Sequence, residues 1–125
     1  RLAESAGPVL LFLHHPPLPV GIPFMDGIAL RDPDALWRTL APHRDRVRHI
    51  FHGHLHRPIA GSWRGFPISS LRGTAFAVRL EHQPGKAAIS REEAPCYSLV
   101  RILDGDVVVH TVELPDADPP SPPAP

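Results

Sequence analysis

The chain has 125 residues, enough for one domain, and 42% of them are hydrophobic, enough for a modest core. Thirteen basic and thirteen acidic residues cancel, so nothing argues for binding a nucleic-acid polymer or for a charged tail. Cys96 is the only cysteine, which excludes an internal disulfide and predicts a reducing, cytoplasmic setting. No apolar run reaches the roughly 18 residues that a membrane span needs.

Val9-Leu10-Leu11-Phe12-Leu13 predicts a continuously apolar strand, the kind found in a sheet covered on both faces. Pro16 and Pro17 end it, because proline brings no N–H to a ladder. Residues 18–30, with Pro19, Gly21, Pro23 and Gly27, predict a loop of the sort that lines active sites. A helix should follow. Asp32 is a capping residue, Pro33 suits the first helical position, and Asp34 favours the positive helix end. Leu36, Trp37 and Leu40 form its apolar stripe, with Trp37 as core, and Pro42 ends it. Val47–Phe51 predicts a second buried strand, so strand, helix and strand make a right-handed parallel crossover.

After Pro58 the texture changes to short strands. These are expected at Ile59–Trp63, Phe66–Ser70 and Ala75–Leu80, with Arg64-Gly65 turning the first pair. Tyr97–Leu103 and Val107–Val112 flank Asp104-Gly105, a hairpin signal, and 82–95 between them predicts a polar loop. Cys96 stands at a strand start and predicts a buried, inert thiol. Six of the last eleven residues are proline, which predicts a disordered or extended tail over 115–125 behind a domain spanning 1–114.

Two histidine signals stand at the ends of the two apolar strands: Leu13-His14-His15-Pro16-Pro17 and Gly53-His54-Leu55-His56. Imidazole is the commonest protein ligand for divalent transition metals. In an extended segment His54 and His56 share one side, about 6–7 Å apart, so they can serve one ion or two neighbouring ions. Gly53 lets the backbone turn sharply beside them. His14, from the neighbouring strand end, can reach the same place. His15 points away from His14 in an extended segment and is assigned to substrate binding. His52 lies further back and predicts burial; His43, His49, His82 and His110 are read as structural or solvated.

The run Leu13-His14-His15-Pro16-Pro17-Leu18-Pro19, joined to Gly53-His54-Leu55-His56 about forty residues later, resembles the last two motifs of calcineurin-like metallophosphoesterases. The likeness is greatest to the branch with class III cyclic-nucleotide phosphodiesterases and glycerophosphodiesterases. Met25-Asp26 and Gly73-Thr74 add to it. The resemblance implies an α/β fold, part of a four-layer sandwich, as a mixed sheet with one main helix and several C-terminal antiparallel strands. It implies two divalent ions (Mn, Fe, Zn or Co), with His14 and His54 on the second and His56 on the first. The substrate would be a small phosphodiester.

The earlier motifs of that family, Asp-x-His, a bridging aspartate and Gly-Asn-His, are not in this sequence, which has no asparagine at all. The resemblance therefore implies the C-terminal half of such an enzyme, with no catalytic residue of its own. Hydrolysis by these 125 residues alone is expected to be poor or nil. Half a sandwich leaves a sheet edge uncovered, which predicts a homodimer or a separate N-terminal half. The alternative is a noncatalytic interaction or dimerisation module derived from the same fold. An amidohydrolase-type barrel needs about 250 residues, and a cupin would want a glutamate soon after His56, which is not there.

Overall fold

A computed structural model of the chain describes residues 2–74, 76–83, 89–90 and 93–114. The class is α/β, built on a mixed four-stranded sheet. Strand β1 (Val9–Leu13) pairs in parallel with β2 (Val47–His52), which pairs in parallel with β4 (Phe66–Ser70). Strand β3 (Ile59–Trp63) pairs antiparallel with β4 and closes one edge, while β1 stands at the other. The hairpin between β3 and β4 turns on Arg64 and Gly65, both at positive φ (51° and 89°), the backbone of the tight turn its sequence predicts.

Two helices lie between β1 and β2. The first, α1 (Pro23–Asp26), is a single turn inside the predicted loop. Asp26 holds it by accepting the N–H groups of Val20 (2.7 Å) and Gly21 (3.1 Å). The loop reading missed this turn because four residues carry no helical period. The second, α2 (Pro33–Leu40), begins as predicted: the Asp32 carboxylate accepts the Ala35 N–H at 2.8 Å. Pro42 does not end the chain's winding. A 3-10 turn over Ala41–His43 continues it, since proline lacks only a donor that a first turn leaves free.

The core lies between α2 and one face of the sheet. Leu40, Val47, Ile50, Trp63, Phe66 and Ile68 are buried there, with Val9, Leu11, Leu13, Leu36 and Trp37 packed around them. Trp37 meets Trp63 edge-on at 6.3 Å, as the core reading of that residue expects. A second cluster, Ile22, Met25, Leu55 and Val78, ties α1 and its loop to the segment after β2.

The remaining strands are antiparallel. Strand β5 (Ala77–Val78) pairs with β6 (Ile89–Ser90), so the strand expected over Ala75–Leu80 shortens to two residues, and its partner falls inside the stretch read as loop. Strands β7 (Cys96–Leu103) and β8 (Asp106–Glu113) form the predicted hairpin, turning on Asp104 and Gly105 at positive φ. Arg72 fastens the hairpin to the sheet. It donates to the Ala94 carbonyl (2.8 Å) and Glu113 (3.0 Å) and pairs with Glu93 (3.3 Å), which also takes Arg57 at 3.1 Å. Cys96 is free and buried. The tail expected over 115–125 lies outside the described residues. Among the described residues no helix is long and apolar enough to cross a membrane.

Candidate metal centre

The parallel register brings the first two imidazoles together. Leu13 pairs with His52, so His14 and Gly53 follow as the next step of the two strands. The Gly53 N–H extends the ladder past β2, donating to the carbonyls of Leu13 (3.3 Å) and His14 (3.1 Å). His54 is the next residue, and its Nδ1 lies 3.2 Å from His14 Nε2.

The backbone then departs from the extended form the spacing suggested. His54 and His56 both have positive φ, 69° and 49°. The Leu55 N–H donates to the Gly53 carbonyl at 2.8 Å, an i→i+2 bond around His54 that marks a γ-turn of the rare positive-φ kind. Such a conformation costs a non-glycine residue about 1–3 kcal/mol and persists only where its surroundings fix it. Leu55 supplies the fixing: it is 0% exposed, seated in the second core against Met25, Ile22 and Val78. Gly53, expected to make the sharp turn, does not. The turn falls on the two histidines, and a methyl at 53 would meet His14 atoms only at ordinary contact, 3.7–3.8 Å.

His15 is a correction to its expected direction. Strand β1 ends at Leu13, so residues 14 and 15 form a bend instead of alternating. The His15 ring lies 4.4 Å from His54 and 4.8 Å from His14, centroid to centroid. Ligand atoms of His14, His15 and His54 all fall within 4.8 Å of one another. His56 is not in that group. It lines a cleft of about 550 Å³ together with His14 and His54, but its Nδ1 donates to the Phe76 carbonyl at 3.2 Å and its ring stacks on Phe76 at 4.3 Å. His52 is buried as expected, His49 bonds Ser69 Oγ at 2.8 Å, and His82 bonds the Gly21 carbonyl. Spacing gave no sign of the Phe76 contact, which depends on a segment twenty residues downstream.

The donor set fits a divalent ion. Metal–nitrogen bonds of about 2.0–2.1 Å to one tetrahedral zinc separate two imidazole nitrogens by about 3.3 Å, and the His14–His54 pair is 3.2 Å apart. His54 Nε2 is buried without a hydrogen-bond partner, so the ring is placed by its Nδ1 side and by the turn. The pKa of His54 is lowered, by burial first and then by the nearby rings of His15, His14 and His56. A ring held neutral keeps the lone pair that metal binding needs.

Comparison with known proteins gives this geometry a context. No family model matches the chain. A probable cyclic nucleotide phosphodiesterase of Rhodopseudomonas palustris is 42% identical over 116 residues, 87% of this chain and 40% of the relative. The 3',5'-cyclic adenosine monophosphate phosphodiesterase CpdA of Pseudomonas aeruginosa is 35% identical, over 83% of this chain and 38% of the relative. The glycerophosphodiester phosphodiesterase GpdQ of Enterobacter lignolyticus is 36% identical over 61% of this chain and 27% of its own length.

The chain is homologous to bacterial cyclic-nucleotide and glycerophosphodiester phosphodiesterases. That bears out the resemblance carried by the two histidine motifs and is consistent with the C-terminal part of a metallophosphoesterase. The chain spans about two fifths or less of the length of these relatives.

Proposed function

We propose that this chain supplies the histidine-rich part of a dinuclear metal site for phosphodiester hydrolysis, acting on a cyclic nucleotide or a glycerophosphodiester. The observation that carries it is the 3.2 Å approach of His14 Nε2 and His54 Nδ1 at the ends of two paired strands. The kinship to phosphodiesterases supports the substrate class. His14 and His54 would hold one divalent ion (Mn, Fe, Zn or Co) and His56 the other. When bound, such ions acidify a shared water and neutralise phosphate oxygens.

The chain's own residues do the rest of the work assigned here. The strand ends bring His14 and His54 together, and an ion between them would replace the hydrogen their ring nitrogens share. Neutral imidazoles hold the ions without cancelling their charge, as carboxylates would. His15, beside His54, orients the substrate phosphate. The open edge of β1 and the exposed Phe12 support a further layer of polypeptide, a second copy or a separate N-terminal half, that completes a four-layer sandwich. A lone buried thiol supports a cytoplasmic setting.

Zinc or manganese titration of the full chain by calorimetry tests the reading. Stoichiometric binding is expected, and loss of it in His14→Ala and His54→Ala. Full-strength binding by both variants would end the metal assignment. With bis(p-nitrophenyl) phosphate and manganese, the chain alone is expected to turn over slowly or not at all. Rapid metal-dependent turnover by the chain alone would refute the division of the site between two polypeptide segments.

A further inference from the structure

His56 is held by a segment that no strand pairing explains. At a φ of 49° its ring reaches Gly73 and Phe76 while lining the cleft it shares with His14 and His54. There it meets two things at once. The Phe76 carbonyl accepts from Nδ1 at 3.2 Å, with the Phe76 ring stacked on the imidazole at 4.3 Å and an interplanar angle of 28°. On the same side Gly73 lies so close that a Cβ there would be 2.5 Å from His56 Nδ1, 2.9 Å from its Cγ and 2.7 Å from the Phe76 carbonyl oxygen. None of these approaches is tolerable for a real methyl group.

Gly73 is not among the residues at positive φ. The usual reason for a glycine, access to left-handed backbone, does not apply. What the position demands is space. Any side chain at 73 would displace either the imidazole or the carbonyl that accepts its N–H.

That proton decides what the ring can do. A neutral imidazole has one N–H and one lone pair. A carbonyl can only accept, so the bond to Phe76 keeps the hydrogen on Nδ1 and leaves Nε2 as the ligand atom. In water the neutral side chain favours the opposite form, with the hydrogen on Nε2. We propose that Gly73 is a positioning residue: its bare Cα and the Phe76 carbonyl form a cradle that selects the Nδ1–H tautomer of His56 and presents Nε2 to a divalent cation. The cation's part in this rests on the metal reading above; the tautomer does not.

Long-range 15N–1H correlation spectra of the metal-free full chain, above neutral pH, read the tautomer. The expected result is an Nδ1-protonated His56. A wild-type ring protonated on Nε2 overturns the cradle with no variant needed. Gly73→Ala is expected to shift His56 toward the Nε2–H form and to weaken zinc binding by about 10–100-fold, the usual cost of losing a ligand's supporting contact. A folded Gly73→Ala with unchanged tautomer and unchanged affinity also overturns it. Gly61→Ala, whose methyl would meet only Ile68 Cγ2 at 4.0 Å, should change neither readout; an equal effect there would overturn the specific role of Gly73. His56→Ala separates the two ideas. It should weaken zinc binding as Gly73→Ala does. If it binds zinc like wild type while the wild-type spectrum shows Nδ1–H, His56 is no ligand, and the presentation of Nε2 to a cation falls with that reading while the tautomer result stands apart.

Discussion

The two faces of the four-stranded sheet differ sharply. One is closed by α2, with Ile50 at 0% exposure under Trp37, Leu40 and Phe66. The other carries Phe12, 69% exposed and stacked on Phe51 at 5.0 Å, with His49 on the far side of Phe51 at 4.3 Å. Both faces take residues from β1, which is apolar throughout, although β2 carries Arg48, His49 and His52. The sequence of β1 cannot distinguish them, because Val9-Leu10-Leu11-Phe12-Leu13 is hydrophobic at every position. The difference teaches that β1 is apolar toward two layers: α2 covers one face, while on the other Phe12 and Phe51 share a cleft with Tyr97 and Val100 of the hairpin.

Four substitutions or conditions break or sharpen that comparison. Ile50→Ala, on the closed face, should cost about 2–5 kcal/mol in chemical denaturation, the range for emptying a buried aliphatic site. A loss below about 1 kcal/mol would mean that this face is loosely packed. Asp32→Ala removes the cap that starts α2 and should cost about 0.5–2 kcal/mol, seen as a lower melting temperature with no change in the hairpin signals.

The third test uses pH and the open face. Burial lowers the pKa of His49 from its ordinary value of 6.5. Below about pH 6.5 the unfolded chain takes up a proton that folded His49 refuses, so stability is full above that pH and falls as the solution is acidified toward the folded pKa. Melting temperature should decline across that window, and His49→Gln should flatten the decline. An unchanged slope would assign the effect to other histidines, of which His52 and His54 shift the same way. The smallest effect is expected for Phe12→Ser, within about 0.5 kcal/mol, because the residue is mostly exposed and loses little beyond its stack on Phe51. A loss as large as that of Ile50→Ala would show that the open face is covered in solution, and sedimentation would then reveal the second copy.

Much of this was legible beforehand. The β1 and β2 strands, the Asp32-capped helix, and the Arg64-Gly65 and Asp104-Gly105 hairpins all follow from local rules: apolar runs, capping oxygens and residues that accept positive φ. The meeting of His14 with His54 was legible too, since a parallel crossover brings consecutive strand ends side by side. The elements that escaped, α1, the 3-10 turn over Ala41–His43 and β6, are four, three and two residues long, too short for any period to emerge.

The sequence by itself determined where the histidines stand along the chain and which family they resemble, because strand ends and motif spacing are local properties. Only the tertiary structure decided which way the rings face. Burial of Leu55 forces left-handed turns at His54 and His56, the bend after Leu13 swings His15 inward, and Gly73 with Phe76 takes hold of His56. Each of these is a contact between segments distant in sequence or a conformation that such contacts impose, and no periodicity encodes it.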